Sequence, residues 1–326
     1  ASDQVKVTVN PVLPNAPTIS ALNFDNTNDE VDISWNALTG NADGGESVDN
    51  YHIYRKIDGG TYSSIGTVSG STTSFSDPLT TQGTYWYKIT AENRAGEGPG
   101  SEQSIILEKP NSPTITTLTY DKSKDQINLY WDSPAAGSGE SIDVDNYKVY
   151  RKQDGGAYSE ISTLSGNTYE FHETFTNEGT YWYKVTAINA IGEGDPAQLS
   201  ITLNAPDAPA WDTTTPIEVL TGRIHIDWNV PTNPGEDDIN EYWVYRKHGS
   251  SGSYSKIDTV YVPTTEYYDT DGSLVGGDIY YYKVSAVSVI GEGVQSVEQS
   301  IMFKDKPNAI SDLTIIGHGD GYISLD

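Results

Sequence analysis

Hydrophobic and polar positions alternate with period two through Tyr85-Trp86-Tyr87-Lys88-Ile89-Thr90-Ala91. Tyr85, Tyr87, Ile89 and Ala91 fall on one side, Trp86, Lys88 and Thr90 on the other. That period predicts a β-strand with one buried face. Gly96-Glu97-Gly98 just beyond predicts a turn, because glycine accepts backbone angles that residues with a Cβ avoid. The same pattern returns over 181–194 and 280–293, almost letter for letter. A repeat of this length governs every other reading of the chain.

Further alternation predicts the remaining strands. Val31, Ile33 and Trp35 point one way, as do Ile127, Leu129 and Trp131, and Ile224, Ile226 and Trp228. A tryptophan at that place is suited to plug the core of a small sandwich. A loop rich in Gly, Asp and Glu follows, then a strand over Tyr51-His52-Ile53-Tyr54-Arg55-Lys56 that ends in the hairpin signal Asp58-Gly59-Gly60. Short strands are predicted over 62–68, 73–75 and 104–107, and a separate alternating strand over Val5-Lys6-Val7-Thr8-Val9.

The landmarks recur at nearly constant intervals. Pro17, Pro113 and Pro209 are 96 and 96 residues apart; Trp35, Trp131 and Trp228 are 96 and 97 apart; Tyr54, Tyr150 and Tyr245 are 96 and 95 apart. Whole domains therefore repeat, with length variation confined to loops. The expected organisation is an end of a preceding unit, or an added strand, over 1–13; units over 14–109, 110–205 and 206–306; and the start of a fourth over 307–326. Both ends read as cuts through a longer array. The joints at 107–113 and 203–209 hold two prolines each and little glycine, so they read as stiff. Three sandwiches in line predict a rod on the order of 100 Å long.

About seven short strands per ~95 residues is the pattern of a Greek-key β-sandwich, so the fold class is all-β. The unit resembles a fibronectin type III domain. The residues that carry the likeness are Pro17, Trp35, Tyr51-x-Ile53 and Tyr85-x-Tyr87-x-Ile89-x-Ala91-x-Asn93-x-x-Gly96. The resemblance implies tandem immunoglobulin-like sandwiches in an elongated array. It also implies that Tyr85, Tyr181 and Tyr280 are corner tyrosines whose hydroxyls fix the loop before them. The third unit departs from the pattern with Ser288 in place of Asn93 and a longer insert over 269–278.

Composition narrows the function classes. The 326 residues carry a net charge of −27, from 46 acids against 19 bases, which disfavours nucleic acid and anionic membrane partners. With 23 Tyr and 7 Trp, aromatics supply much of the buried surface. There is no cysteine, so no disulfide supports the fold. No Asn is followed at the second position by Ser or Thr, no apolar run reaches the length of a membrane span, and no signal peptide is present.

No catalytic constellation emerges. His52, His172, His225, His248 and His318 occupy unrelated repeat positions without metal-ligand spacing and read as solvated surface residues. Nucleophile elbows, phosphate loops and zinc-protease motifs are missing from the sequence. Acidic loops offer a candidate structural Ca2+ site: Asp43, Glu46 and Asp49; Glu140, Asp143 and Asp145; Glu236, Asp237 and Asp238. Calcium takes several oxygens from a flexible loop, although ordinary solvated turns explain the same residues.

A second candidate is an outward aromatic stripe. In the sheet of the family it resembles, Tyr54, Trp86 and Lys88 share a face, with copies Tyr150, Trp182 and Lys184, and Trp243, Tyr245, Tyr281 and Lys283. Such a stripe either binds glycans or protein, or braces the sheet through cross-strand pairs and lysine stems over rings. Its presence in every unit favours the bracing role. The expectation for function is a non-catalytic stalk, filament or adhesive spacer of an extracellular, cell-surface or virion-surface protein, with protein neighbours in a surface assembly or fibre. The alternatives are a glycan- or protein-binding module, or spacer domains of a secreted carbohydrate-active enzyme. The integrin tripeptide Arg-Gly-Asp is missing from the chain.

Overall fold

The computed structural model describes residues 10–135, 143–175, 177–304, 315–319 and 322–325. The strand expected at Val5–Val9, Glu140 of the second acidic loop and the junction at Pro307 lie outside the described residues.

The first copy runs β1 (Ile19–Asp25), β2 (Glu30–Trp35), β3 (Asn50–Ile57), β4 (Ser63–Ser69), β5 (Ser74–Pro78), β6 (Gly83–Asn93), β7 (Gly96–Glu97) and β8 (Ser101–Leu107). One sheet has the order β1-β2-β5, the other β4-β3-β6-β7 with β8 also on β6. The chain changes sheet between β2 and β3, between β4 and β5, and again between β5 and β6, which makes the sandwich Greek-key. Val31, Ile33 and Trp35 of β2 face Tyr51 and Ile53 of β3 and Tyr85, Tyr87, Ile89 and Ala91 of β6 in one buried cluster.

The second copy forms a sheet in the order Glu170–Thr174, Gln126–Asp132, Thr114–Asp121. Its other sheet runs Ser159–Ser165, Asn146–Gln153, Gly179–Asn189, Gly192–Glu193, with Ala197–Leu203 also on Gly179–Asn189. In the third copy Arg223–Asn229 pairs Ala210–Trp211, Ile217–Leu220 and Glu266–Asp269. Its five-stranded sheet runs Ser255–Tyr261, Ile239–His248, Ile279–Ser288, Gly291–Glu292, with Gln299–Met302 also on Ile279–Ser288. A last hairpin pairs Ile315–Gly319 with Tyr322–Leu325. The protein is thus all-β, with tandem antiparallel sandwiches and one short 3-10 turn at Gly40–Asp43 among the described residues. Contacts group the chain into two compact units, Ala1–Thr119 with Asn128–His172 and Tyr181–Ile201, and Tyr120–Ile127 with Glu173–Thr180 and Thr202–Asp326. The cluster around Trp35 lies in the first, the cluster around Trp228 in the second.

The tryptophan plug is built the same way three times. Trp35 meets Tyr51 edge-on at 5.4 Å, Trp131 meets Tyr147 at 5.5 Å, and Trp228 meets Tyr242 at 5.4 Å. Edge-to-face pairs of this kind contribute about 0.5–1.5 kcal/mol beyond area burial. The hydroxyls differ. Tyr51 accepts from the Leu38 amide at 3.0 Å, whereas the hydroxyls of Tyr147 and Tyr242 have no hydrogen-bond partner among the described residues. The equivalent residues are Pro134 and Pro231, which carry no N–H to give.

The hydroxyl of Tyr85 donates to the Thr81 carbonyl at 3.0 Å, and that of Tyr280 accepts from the Val275 amide at 2.9 Å, so both fix the preceding loop. Each copy also grips the chain that leads into it. The Asn93 amide donates to the carbonyls of Val12 and Asp43, and the Asn189 amide to that of Glu108. Ser288 is too short for this reach, and its hydroxyl only accepts from the Ile290 amide. Glu236 takes over in the third copy, accepting from the backbone and side-chain nitrogens of Asn204. The close approach requires glycine: a Cβ at Gly44 would stand 2.0 Å from the Val12 carbonyl oxygen, and one at Gly235 2.2 Å from that of Asn204.

Candidate functional site

The aromatic stripe lies where the register puts it. On the outer face of the five-stranded sheet Tyr54 is opposite Lys88 and Lys56 is opposite Trp86. The ammonium of Lys88 sits 4.6 Å from the Tyr54 ring and 4.9 Å from Tyr62; that of Lys56 sits 4.5 Å from Tyr62 and 5.2 Å from Trp86. The side chains therefore interleave as Trp86, Lys56, Tyr62, Lys88, Tyr54. In the second copy Lys152 lies over Trp182 (5.3 Å) and Tyr158 (4.9 Å), and Lys184 over Tyr158 (5.2 Å) and Tyr150 (4.7 Å). The third copy places Lys247 over Tyr281 (4.5 Å) and Tyr254 (5.0 Å), and Lys283 over Tyr254 (5.0 Å).

Each ladder ends on a carboxylate from the Gly-Glu-Gly turn. Tyr54 and Thr90 donate to Glu97 at 2.8 and 2.6 Å, Tyr150 and Thr186 to Glu193 at 2.7 and 2.7 Å, Tyr245 and Ser285 to Glu292 at 2.6 and 2.7 Å. Burial pushes Glu97 and Glu193 up, but the hydroxyl donors outweigh it and hold both below the ordinary carboxylate value. Burial and then the facing carboxylate raise the phenols of Tyr150 and Tyr245 to about 12. The rings are half-buried, and every ladder lysine is held between two of them or over one. Sequence reading missed Tyr62, Tyr158, Tyr254 and the three glutamates as members. The even 96-residue spacing of those tyrosines was the available signal.

Trp243 stands apart from the ladder with which it was grouped. It faces Thr259 and Ser285, at the position held by His52 and Lys148 in the other copies. Its cation is Lys256, 3.7 Å from the ring, and its indole N–H donates to Glu241 at 2.6 Å.

Beneath the stripe lies a network that the sequence did not reveal. Arg55 donates to both oxygens of Asp77 (2.8 and 2.7 Å), and Tyr87 donates to the same carboxylate at 2.7 Å. In the third copy Arg246 and Tyr282 converge on Asp269, each at 2.7 Å, and Arg246 also holds Asp271.

Among the described residues, the acids of these loops are held singly by different partners. Asp43 accepts from the Gly45 amide, Glu46 pairs with Arg94 at 2.9 Å, and Asp49 is held through its backbone by Glu92 and Gly70. The Asp143 amide donates to the Asn26 side-chain oxygen at 3.3 Å, and Asp145 is raised by burial and then by the charges of Asp29 and Asp143. Asp237 accepts from the Tyr120 hydroxyl at 2.8 Å and Asp238 from Lys122 at 2.9 Å, both within the second compact unit. Among the described residues, the carboxylates lying within 4.8 Å of one another are Asp25, Glu30 and Asp32 of the β1–β2 hairpin. His225 corrects the expectation of solvated histidines. It is 8% exposed, bonded to Glu218 (3.1 Å) and Glu266 (3.0 Å) and stacked on Tyr268 at 4.4 Å.

Set beside known proteins, residues 116–197 match the family described as PBP1-like, fibronectin3-like domain. The chain is 24% identical to titin of Drosophila melanogaster over 232 residues, which is 68% of this chain and 1% of that protein. It is 26% identical to neogenin of Rattus norvegicus over 219 residues, 64% of this chain and 15% of the relative. With myomesin-2 of Homo sapiens it shares 24% over 246 residues, 70% of this chain and 16% of the relative. The chain thus spans between 1% and 16% of the length of these relatives. Among solved structures it is similar to the crystal structure of chicken CNTN1 FN1-FN3 domains, at 19% identity and a TM-score of 0.28, covering 90% of this chain and 99% of that one. The class is a tandem β-sandwich protein. Within it, the sandwiches resemble fibronectin type III domains.

Proposed function

We propose that this chain is a non-catalytic spacer, a run of fibronectin type III-like units over 14–109, 110–205 and 206–306 that serves as stalk, filament or adhesive segment of an extracellular, cell-surface or virion-surface protein. Its partners are then protein neighbours in that assembly. The observation that carries this reading is that the chemistry-bearing side chains shared by the copies are consumed by one another. Lysines lie against rings, the turn glutamates accept from hydroxyls, and half-buried arginines hold buried aspartates. What recurs is bracing. Alignments of 219 to 246 residues with titin, neogenin and myomesin-2 run through more than two copies of the repeat, which supports a role for the series rather than for one site.

The test is to stretch the intact chain between its ends in a force experiment. Independent spacer units give separate unfolding events, each releasing roughly 300 Å of chain for about 96 residues. One cooperative rupture of the whole chain would overturn the reading.

A further inference from the structure

The three copies supply their own control, and one patch of the third breaks the pattern. On the outer face of its five-stranded sheet, Glu241 stands opposite Tyr261, with Trp243 the next outward residue on the same strand. The first copy has Asn50, Ser69 and His52 at these places, the second Asn146, Ser165 and Lys148. Two aromatics and a carboxylate thus appear together where the sister sheets carry no aromatic beyond His52. The ladder, by contrast, is retained in all three copies.

We propose that Tyr261, Glu241 and Trp243 form a binding platform for a neutral oligosaccharide. Tyr261 is 68% exposed and its hydroxyl has no protein partner among the described residues. Diagonal neighbours across a strand pair lie about 7–8 Å apart, a span that suits the two sides of a pyranose pair. A sugar ring offers an apolar C–H face to aromatic rings and hydroxyls around its rim. Glu241 serves the rim: one oxygen is taken by the Trp243 indole N–H, which locks the carboxylate at the ring edge and leaves the other to accept from a hydroxyl. The ammonium of Lys256, 3.7 Å from the centre of the Trp243 ring, covers one face of that indole and adds a donor beside it, leaving the other face for the sugar.

Size and charge select this ligand. A protein interface covers about 800 Å2 and ~20–30 residues per partner. Here the rings are bordered at once by Thr259, Ser285 and Lys256. The net charge of −27 and the carboxylate at the centre repel uronic or sulfated glycans.

The experiment is saturation-transfer NMR on the intact chain with cellohexaose, maltohexaose and N-acetylchitohexaose, each up to about 10 mM, with a heparin hexasaccharide as the charged control. At least one neutral probe is expected to bind. Tyr261→Ser alone, an exposed change that leaves folding intact, and Tyr261→Ser with Trp243→His should weaken it by about tenfold or more. Trp86→Ser and Trp182→Ser should leave it unchanged. Failure of all three neutral probes to bind, equal binding by the Tyr261→Ser chain, equal loss in the Trp86 and Trp182 variants, or preference for heparin would each overturn the proposal.

Discussion

Arg246 reaches Asp269 across 2.7 Å in surroundings that leave the aspartate only 1% exposed, and Tyr282 donates to the same carboxylate oxygen. Among the described residues, Arg246 is the cation paired with that carboxylate. Removing one partner of a buried pair costs roughly 3–5 kcal/mol, because the other charge is stranded. Arg246→Met should therefore lower the unfolding free energy by about that amount, read from denaturant melts of the third copy's tyrosine and tryptophan signal. In a double-mutant cycle with Asp269→Leu the losses should fall well short of additive. Additive losses would show that the two residues act separately.

Arg246 also holds Asp271, and its guanidinium, with the Ser273 amide and hydroxyl, lowers that carboxyl from 3.8 to about 2. A depressed carboxyl contributes stability above its unfolded value, and that contribution is lost as the pH falls through the folded value. The third copy should thus lose this part of its stability between about pH 4 and pH 2, and Asp271→Asn should flatten the acid limb of its stability curve in that window. An unchanged limb would mean the pair contributes nothing in solution.

The proline contrast beside the core tyrosines predicts opposite signs for one substitution. Tyr51→Phe strands the Leu38 amide and should destabilise by about 1 kcal/mol. Tyr242→Phe removes a buried hydroxyl that has no partner, and should be neutral or stabilising by up to ~1 kcal/mol. Thermal melts of the two single variants decide it, and equal losses would refute the assignment.

At the ladder ends, Tyr150 and Tyr245 are raised from 10.0 to about 12 by burial and by the facing Glu193 and Glu292. For a raised phenol the stability is fully present below its unfolded value and lost as the pH rises through the folded one. A phenolate absorbance titration should show tyrosines ionising near pH 12, with a parallel fall in stability above about pH 10. Glu193→Gln and Glu292→Gln should move those phenols back toward the ordinary value. Titration of every accessible phenol near 10 in the unsubstituted chain would count against the ladder.

Much of the scaffold was legible in order of letters. Period-two alternation put Val31, Ile33, Trp35, Tyr85, Tyr87, Ile89 and Ala91 inside, and all are buried. It also put Tyr54, Trp86 and Lys88 on one outer face, where the register places them. Alternation works because a strand has only two sides and one is dry. Partners of side chains that come from distant strands were not legible. Tyr62 joins the ladder from just before β4, Asp77 meets Arg55 from β5, and Glu236 substitutes for an asparagine that Ser288 cannot mimic. The loop acids look alike in the sequence, yet Asp43 caps a turn, Glu46 pairs with Arg94 and Asp237 accepts from Tyr120.

The sequence by itself determined the repeat, the strands, the inward faces and the tryptophan at each core, since these depend on local periodicity and on burial that any pairing must satisfy. Tertiary structure alone decided which charges meet, which hydroxyls go unpartnered and which rings stay open to solvent. Those depend on cross-strand register and on distances of a few ångströms between residues far apart in the chain, as with Tyr261 and Glu241 on the third sheet.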